Sequence, residues 1–202
     1  MRRFLSWLVV LIVMWTTAAH GSEFQSSFGF TADVPADWVV LTKQALEDSP
    51  TLVDMRPETV GNVNPELLRN LKAKVESGSI EMLFDRATSD ATFANNINVM
   101  VRRGRIPDAS DQVRQVCEAY PAKLTKVAGR NLNVVRCERR ELSRTEAFYV
   151  EYEGVVAGTV TMQYQIPRPN NEVLLVTATC KQASVEKIRP EFEEIVRSIR
   201  FS

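Results

Sequence analysis

Leu132–Leu142 (LNVVRCERREL), Glu146–Gly154 (EAFYVEYEG), Ala157–Ile166 (AGTVTMQYQI) and Val173–Cys180 (VLLVTATC) follow one another with only short turns between them. The turns fall at Ser143, at Gly154-Val155-Val156 and at Pro167 to Asn171. Strands joined by so few residues favour an antiparallel meander, because a parallel pair needs a long crossover. Phe148, Val150 and Tyr152 share one strand face, as do Val160, Met162, Tyr164 and Ile166. The opposite faces carry Thr159, Thr161 and Gln163, so part of this sheet is expected to be solvated or covered by polar contacts.

Upstream, Asn96 to Arg103 reads as another strand, with Ile97, Val99 and Val101 on one face and Asn96, Asn98 and Arg102 on the other. Ile80 to Phe84 is a further strand. Phe28 to Val34 alternates up to Pro35 and Trp38 to Leu41 resumes, which predicts two strands about a tight turn with Phe28, Phe30 and Trp38 at an aromatic corner. Ser22 to Ser27 reads as a flexible lead-in and residues 43 to 63 as irregular. Three helices are predicted. The first spans Pro65 to Ser77, with Asn64 as N-cap, Gly78 at its exit and Leu67, Leu68, Leu71 and Val75 as its buried stripe. The second spans Asp111 to Lys126, capped by Ser110 and interrupted or kinked at Pro121, with Val113, Val116, Cys117, Tyr120 and Leu124 facing inward. The third spans Val185 to Ser198, started late or bent by Pro190, with Ile188, Phe192, Ile195, Val196 and Ile199 on one face. An antiparallel run with helices that need covering is an α+β layered domain.

The chain opens with Arg2 and Arg3, the apolar run Phe4 to Trp15, and small residues from Thr16 to Gly21. That is the grammar of a secretory signal peptide cut after Gly21, or after Ala19. The run is shorter than the roughly 20 residues a spanning helix needs, so no stable membrane span is expected after cleavage. Residues 1–21 are read as signal and 22–202 as one domain, with a periplasmic or secreted destination. Removal of 21 residues from 202 leaves 181 and takes the single histidine, His20, with it. Lys+Arg then falls from 25 to 23 against 25 Asp+Glu, and a nearly neutral chain gives no reason to expect nucleic acid.

An exported chain can form disulfides. In the meander the strands of Cys137 and Cys180 lie three positions apart, about 14 Å at ~4.8 Å per step, while bridged Cα atoms must come within about 7 Å. Cys117 faces inward on the helix that leads into the Cys137 strand, so Cys117–Cys137 is the favoured pair. The alternative is three buried thiols. The spacings match no zinc site, and no cofactor motif is present.

Phe28-x-Phe30 followed by Pro35-x-x-Trp38, then Asn96-Ile97-Asn98-Val99, Thr177-Ala178-Thr179-Cys180 and Phe192-x-x-Ile195-x-x-Ser198-Ile199-x-Phe201, resembles the PsbP-like and Mog-type domain family in order and spacing. The resemblance covers most of Phe28 to Phe201 and implies a central antiparallel sheet flanked by helices on both faces, an α/β/α sandwich. Family members bind or help assemble other proteins, a photosynthetic complex in one branch and a small nuclear GTPase in another. Bacterial exported members are of the DcrB kind. No catalytic motif comes with the fold, and fold alone does not give function.

Candidate chemistry is sparse. Ser184 and Lys187 have S-x-x-K spacing but lack the companion motifs, and Ser184 reads as a helix cap. Glu151 and Glu153 share a strand face, which half-exposed alternation explains without a glycosidase pair. Arg102, Arg103, Arg105, Arg136, Arg139, Arg140 and Arg144 suggest a basic surface, and a binding patch of Asn96, Asn98, Arg102, Arg136 and Arg140 is the site expectation. The functional expectation is a non-catalytic interaction or assembly module of the cell envelope, with another envelope or secreted protein as partner and no cofactor. The alternatives are a lipid or small-ligand binding protein, which needs an apolar cavity, and an envelope-polymer hydrolase, which needs a pocket of convergent reactive groups.

Overall fold

Period-2 alternation gives each strand of the meander two faces, and a computed structural model shows what covers each. It describes residues 21–49, 72–88 and 93–202. The signal-peptide reading and the Asn64–Leu71 part of the first helix lie outside these residues. In chain order the elements are β1 (Ser22–Ser26), β2 (Phe30–Val34), β3 (Trp38–Leu41), α1 (Lys43–Asp48), β4 (Glu81–Asp85), β5 (Asn96–Arg103), α2 (Ser110–Ala128), β6 (Val134–Glu141), β7 (Glu146–Glu153), β8 (Thr159–Arg168), β9 (Glu172–Lys181), α3 (Val185–Arg197) and β10 (Arg200–Phe201). A helical segment also covers residues 72–76 and ends on Gly78, which takes φ 68°.

Seven strands form one antiparallel sheet in the order β3-β4-β5-β9-β8-β7-β6, so the meander forms as expected and β5 joins it through β9. A small sheet, β1-β2-β10, stands apart from it. Along β7, Ala147 and Tyr149 point to the side packed by α3, while Phe148, Val150 and Tyr152 point to the side packed by α2. Ile188, Phe192, Ile195 and Val196 of α3 are buried among Ile97, Val99, Tyr164, Val176 and the inward residues of β2. Full burial of each such side chain stabilises by about 1.5–3 kcal/mol. Trp38 meets Phe192 edge-on at 5.7 Å. A second cluster gathers Leu46 of α1, Val75, Ile80, Met82 and Phe84.

Five local expectations are corrected. Ser22–Ser26 is a strand, because pairing with β2 gives its backbone a partner that its polar side chains do not announce. The Pro35 turn does not close a hairpin: it carries the chain from the small sheet to the large one, where β3 pairs with β4. Residues 43–48 are helical, and the Thr42 side chain accepts from the Ala45 amide at 3.0 Å to start that helix. α2 begins at Ser110 itself with Ala109 as its uncapped flank, and it continues through Pro121. The Cys117 bridge and the contacts of Tyr120 and Leu124 hold it on both sides of that proline. α3 begins at Val185, where buried Val185 and Ile188 outweigh the one hydrogen bond that Pro190 cannot donate.

Candidate functional site

The α2 side of the sheet holds two apolar clusters with a polar strip between them. β8 contributes Thr161, Gln163 and Gln165, β9 contributes Thr177 and Thr179, and β5 contributes Asn96, Asn98 and Arg102. Polar groups facing a helix must satisfy one another, and here they do. Tyr120 of α2 donates its hydroxyl to Gln163 Oε1 at 2.6 Å. Gln165 Nε2 lies 3.2 Å from the same oxygen and 3.4 Å from the Tyr120 hydroxyl, and Arg102 donates to Gln165 Oε1. Burial pushes the Tyr120 phenol above its ordinary range, only partly offset by the Arg102 charge.

Above this network α2 and the sheet leave a cleft of about 440 Å³. Phe148, Tyr152, Gln163, Gln165 and Leu175 floor it, while Val116, Tyr120, Lys123, Leu124 and Val127 wall it. Arg102, Arg105 and Pro107 close one end, and Val155 lies toward the other beside Tyr152. Among the described residues no acidic side chain lines it. Val127 and Val155 are 82% and 55% exposed, conspicuous for aliphatic side chains. The turn carrying Val155 is tightly built: Gly154 donates its amide to the Thr159 carbonyl at 2.8 Å, and a Cβ on Gly154 would lie 1.9 Å from Thr159 Oγ1. Gly154→Ala is therefore expected to destabilise the fold by roughly 1–3 kcal/mol, read as a lowered denaturation midpoint. An unchanged midpoint would show that the turn relaxes freely.

The expected patch is divided. Asn96, Asn98 and Arg102 lie together on the α2 side of β5. Arg136 and Arg140 lie on the other side of β6, four strand steps or about 19 Å away. There Arg140 lies 3.7 Å over the Tyr149 ring and 3.3 Å from Glu193, and Arg136 lies 3.8 Å from Glu151. Arg139 pairs with Glu146. The Cys117–Cys137 disulfide is formed, with Cα atoms 5.6 Å apart, and it ties α2 to β6. Cys180 is a buried free thiol whose pKa burial pushes up to about 12.

The carboxylates singled out in the sequence are held in ion pairs. Glu151 accepts from Arg189 at 2.7 and 3.0 Å and from the Tyr149 hydroxyl at 2.8 Å. Burial opposes its ionisation, but these bonds outweigh it and hold the carboxyl below its ordinary range. Glu153 pairs with Arg130 at 2.8 Å. Ser184 donates to the Lys181 carbonyl at 3.2 Å rather than to Lys187. Among the described residues no cluster of three or more His, Cys, Asp or Glu could hold a metal ion, and no helix is long and apolar enough to cross a membrane. The sequence reading placed Tyr120 in the core and Gln163 on a face either solvated or covered by polar contacts, and the polar cover is what forms. The T-x-Q-x-Q alternation opposite an inward tyrosine is the signal that joins them.

No family model and no curated protein matches the chain. Solved structures do. Cyanobacterial PsbP (CyanoP) from Synechocystis sp. PCC 6803 superposes with a TM-score of 0.55 at 9% identity, covering 93% of this chain and 96% of that one. The Ran-binding protein Mog1p of Saccharomyces cerevisiae superposes with a TM-score of 0.51 at 12% identity, covering 91% and 96%. Identities this low carry the fold and nothing finer, and on that ground the chain has the PsbP-like/Mog1 fold.

Proposed function

We propose that the chain is an exported, non-catalytic protein-interaction module of the cell envelope, built as an α/β/α sandwich. The observation that carries the reading is the α2 cleft, where exposed valines and cations face solvent over a floor whose polar groups are already satisfied. Such a mixture of apolar and positively charged surface suits a protein partner, since isolated exposed aliphatics need no explanation but a lined concavity does. The likeness to a Ran-binding protein supports an interaction role. The signal-like opening and the Cys117–Cys137 bridge support an oxidising compartment.

Photo-cross-linking in cells, with a reactive residue placed in turn at Val127, Val155 and several exposed positions elsewhere, is expected to yield a discrete adduct of one partner. Absence of any adduct across the panel would overturn the interaction reading. Intact-mass measurement of protein recovered from the envelope or medium is expected to show a chain beginning at Ser22 or His20 and lighter by the two hydrogens that a disulfide removes. A full-length, reduced chain in the cytoplasm would overturn the export reading.

A further inference from the structure

The cleft has a direction. Along β7, Tyr152 and Phe148 stand opposite Thr161 and Gln165, and the Arg102 level lies one step beyond Gln165 on the same side of the sheet. Tyr152, with Val127 and Val155, therefore marks an apolar end, and Arg102 and Arg105 mark a cationic end. The Tyr152 level crosses the sheet to Asn96, and six residues of β5 separate Asn96 from Arg102, about 20 Å at ~3.3 Å each.

The cations of the cleft are not paired with carboxylates. Arg130, Arg136, Arg139, Arg140, Arg189, Arg197 and Arg200 all face carboxylates. Among the described residues the cleft cations Arg102, Arg105 and Lys123 face none, as is also true of cations outside the cleft such as Arg114 and Lys126. Arg102 uses one terminal nitrogen on Gln165, and Arg105 uses Nε on Asn171 at 2.6 Å, which leaves the fork of its guanidinium open. Planar guanidinium groups match a carboxylate in two parallel hydrogen bonds.

We propose that the cleft receives an extended peptide segment of about six residues, with an apolar side chain among Tyr152, Val127 and Val155 and a carboxylate at Arg102 and Arg105. The carboxylate is an acidic side chain of the partner. Lys123, one helical turn before Val127 on the wall, adds to the attraction. The proposal rests on the interaction-module reading and names the feature of the partner that this cleft selects.

The test uses the mature protein with its disulfide intact and three fluorescent probes: an acetylated Leu-Ser-Ser-Ser-Ser-Glu amide, an acetylated Leu-Ser-Ser-Ser-Ser-Lys amide, and decanoate. The acidic peptide is expected to bind about tenfold or more tighter than the lysine amide, and to weaken as salt is raised. Arg105→Gln with Lys123→Gln, both exposed and clear of the Gln165 network, should lower its affinity several-fold, and Val127→Ser should lower it without changing the salt dependence. Equal binding of the two peptides, or affinity untouched by Arg105→Gln with Lys123→Gln, would overturn the proposal. Tighter binding of decanoate than of either peptide would overturn it in favour of a small amphiphile. The two readings fail separately. A partner that cross-links elsewhere while the acidic probe ignores the cleft sinks the cleft proposal alone, and a bound probe with no cellular adduct sinks the interaction module.

Discussion

Arg189→Ala is expected to cost about 3 kcal/mol of stability at neutral pH, because it leaves the Glu151 carboxylate buried without its main partner. Both groups are well enclosed, with side-chain exposures of 19% and 5%, so solvent screening does not dilute the effect much. Tyr149 and Arg136 remain beside Glu151 and keep the loss at the lower end of what breaking a buried pair costs. The pH dependence supplies the sharper signature. In the native protein the carboxyl is held below its ordinary value of 4.5, so its contribution is present above that value and fades as pH falls through the lower folded value. In the variant, burial dominates and raises the carboxyl, so protonation relieves the fold and stability increases as pH falls. Denaturant midpoints across an acid series should therefore diverge in slope, not only in height. Parallel curves would show that Arg189 does not govern the ionisation of Glu151.

Cys117→Ser with Cys137→Ser is expected to cost about 3 kcal/mol on the chain-entropy account of a loop of this length, the two cysteines being 20 residues apart. For a domain of this size that lowers the thermal midpoint by roughly 6–12 °C. The same change should weaken any ligand of the cleft, since the bridge ties the wall to the floor's edge strand. A variant as stable as the parent would mean that the contacts of Val113, Val116, Tyr120 and Leu124 hold α2 unaided.

The meander, β5, the inward stripe of α3 and the disulfide were all legible in the sequence because each expresses its own periodicity or spacing. Phe148, Val150 and Tyr152 could be placed on one face before any partner was known, and so could Ile188, Phe192, Ile195 and Val196. What escaped were the pieces whose structure is lent by something distant. Ser22–Ser26 has no apolar alternation and is a strand only because Phe30–Val34 lies beside it. Arg200–Phe201 is too short to signal itself and likewise depends on β2. The divided arginine patch has a simpler cause. Arg136 and Arg140 differ in parity from Cys137, and a register shift between Val134 and Arg136 sets which parity faces α2. Composition placed these arginines together, and the pleat separated them. The cleft itself needs Tyr120 and Gln163, 43 residues apart, to meet, and no local pattern encodes that meeting.

The small sheet also sets an order in time. Phe30 pairs with Phe201 and Thr31 with Arg200, so β2 gains its second neighbour from β10, far downstream in sequence. Phe30, Ala32 and Val34 are buried in the cluster that α3 completes. A chain that leaves the ribosome or a translocation pore N-terminus first therefore carries this strand without that cover until α3 and β10 have followed. Contacts this far apart in sequence make folding slow compared with local hairpins. The meander can form before β10 emerges, but the two halves of the core join only once α3 and β10 are available.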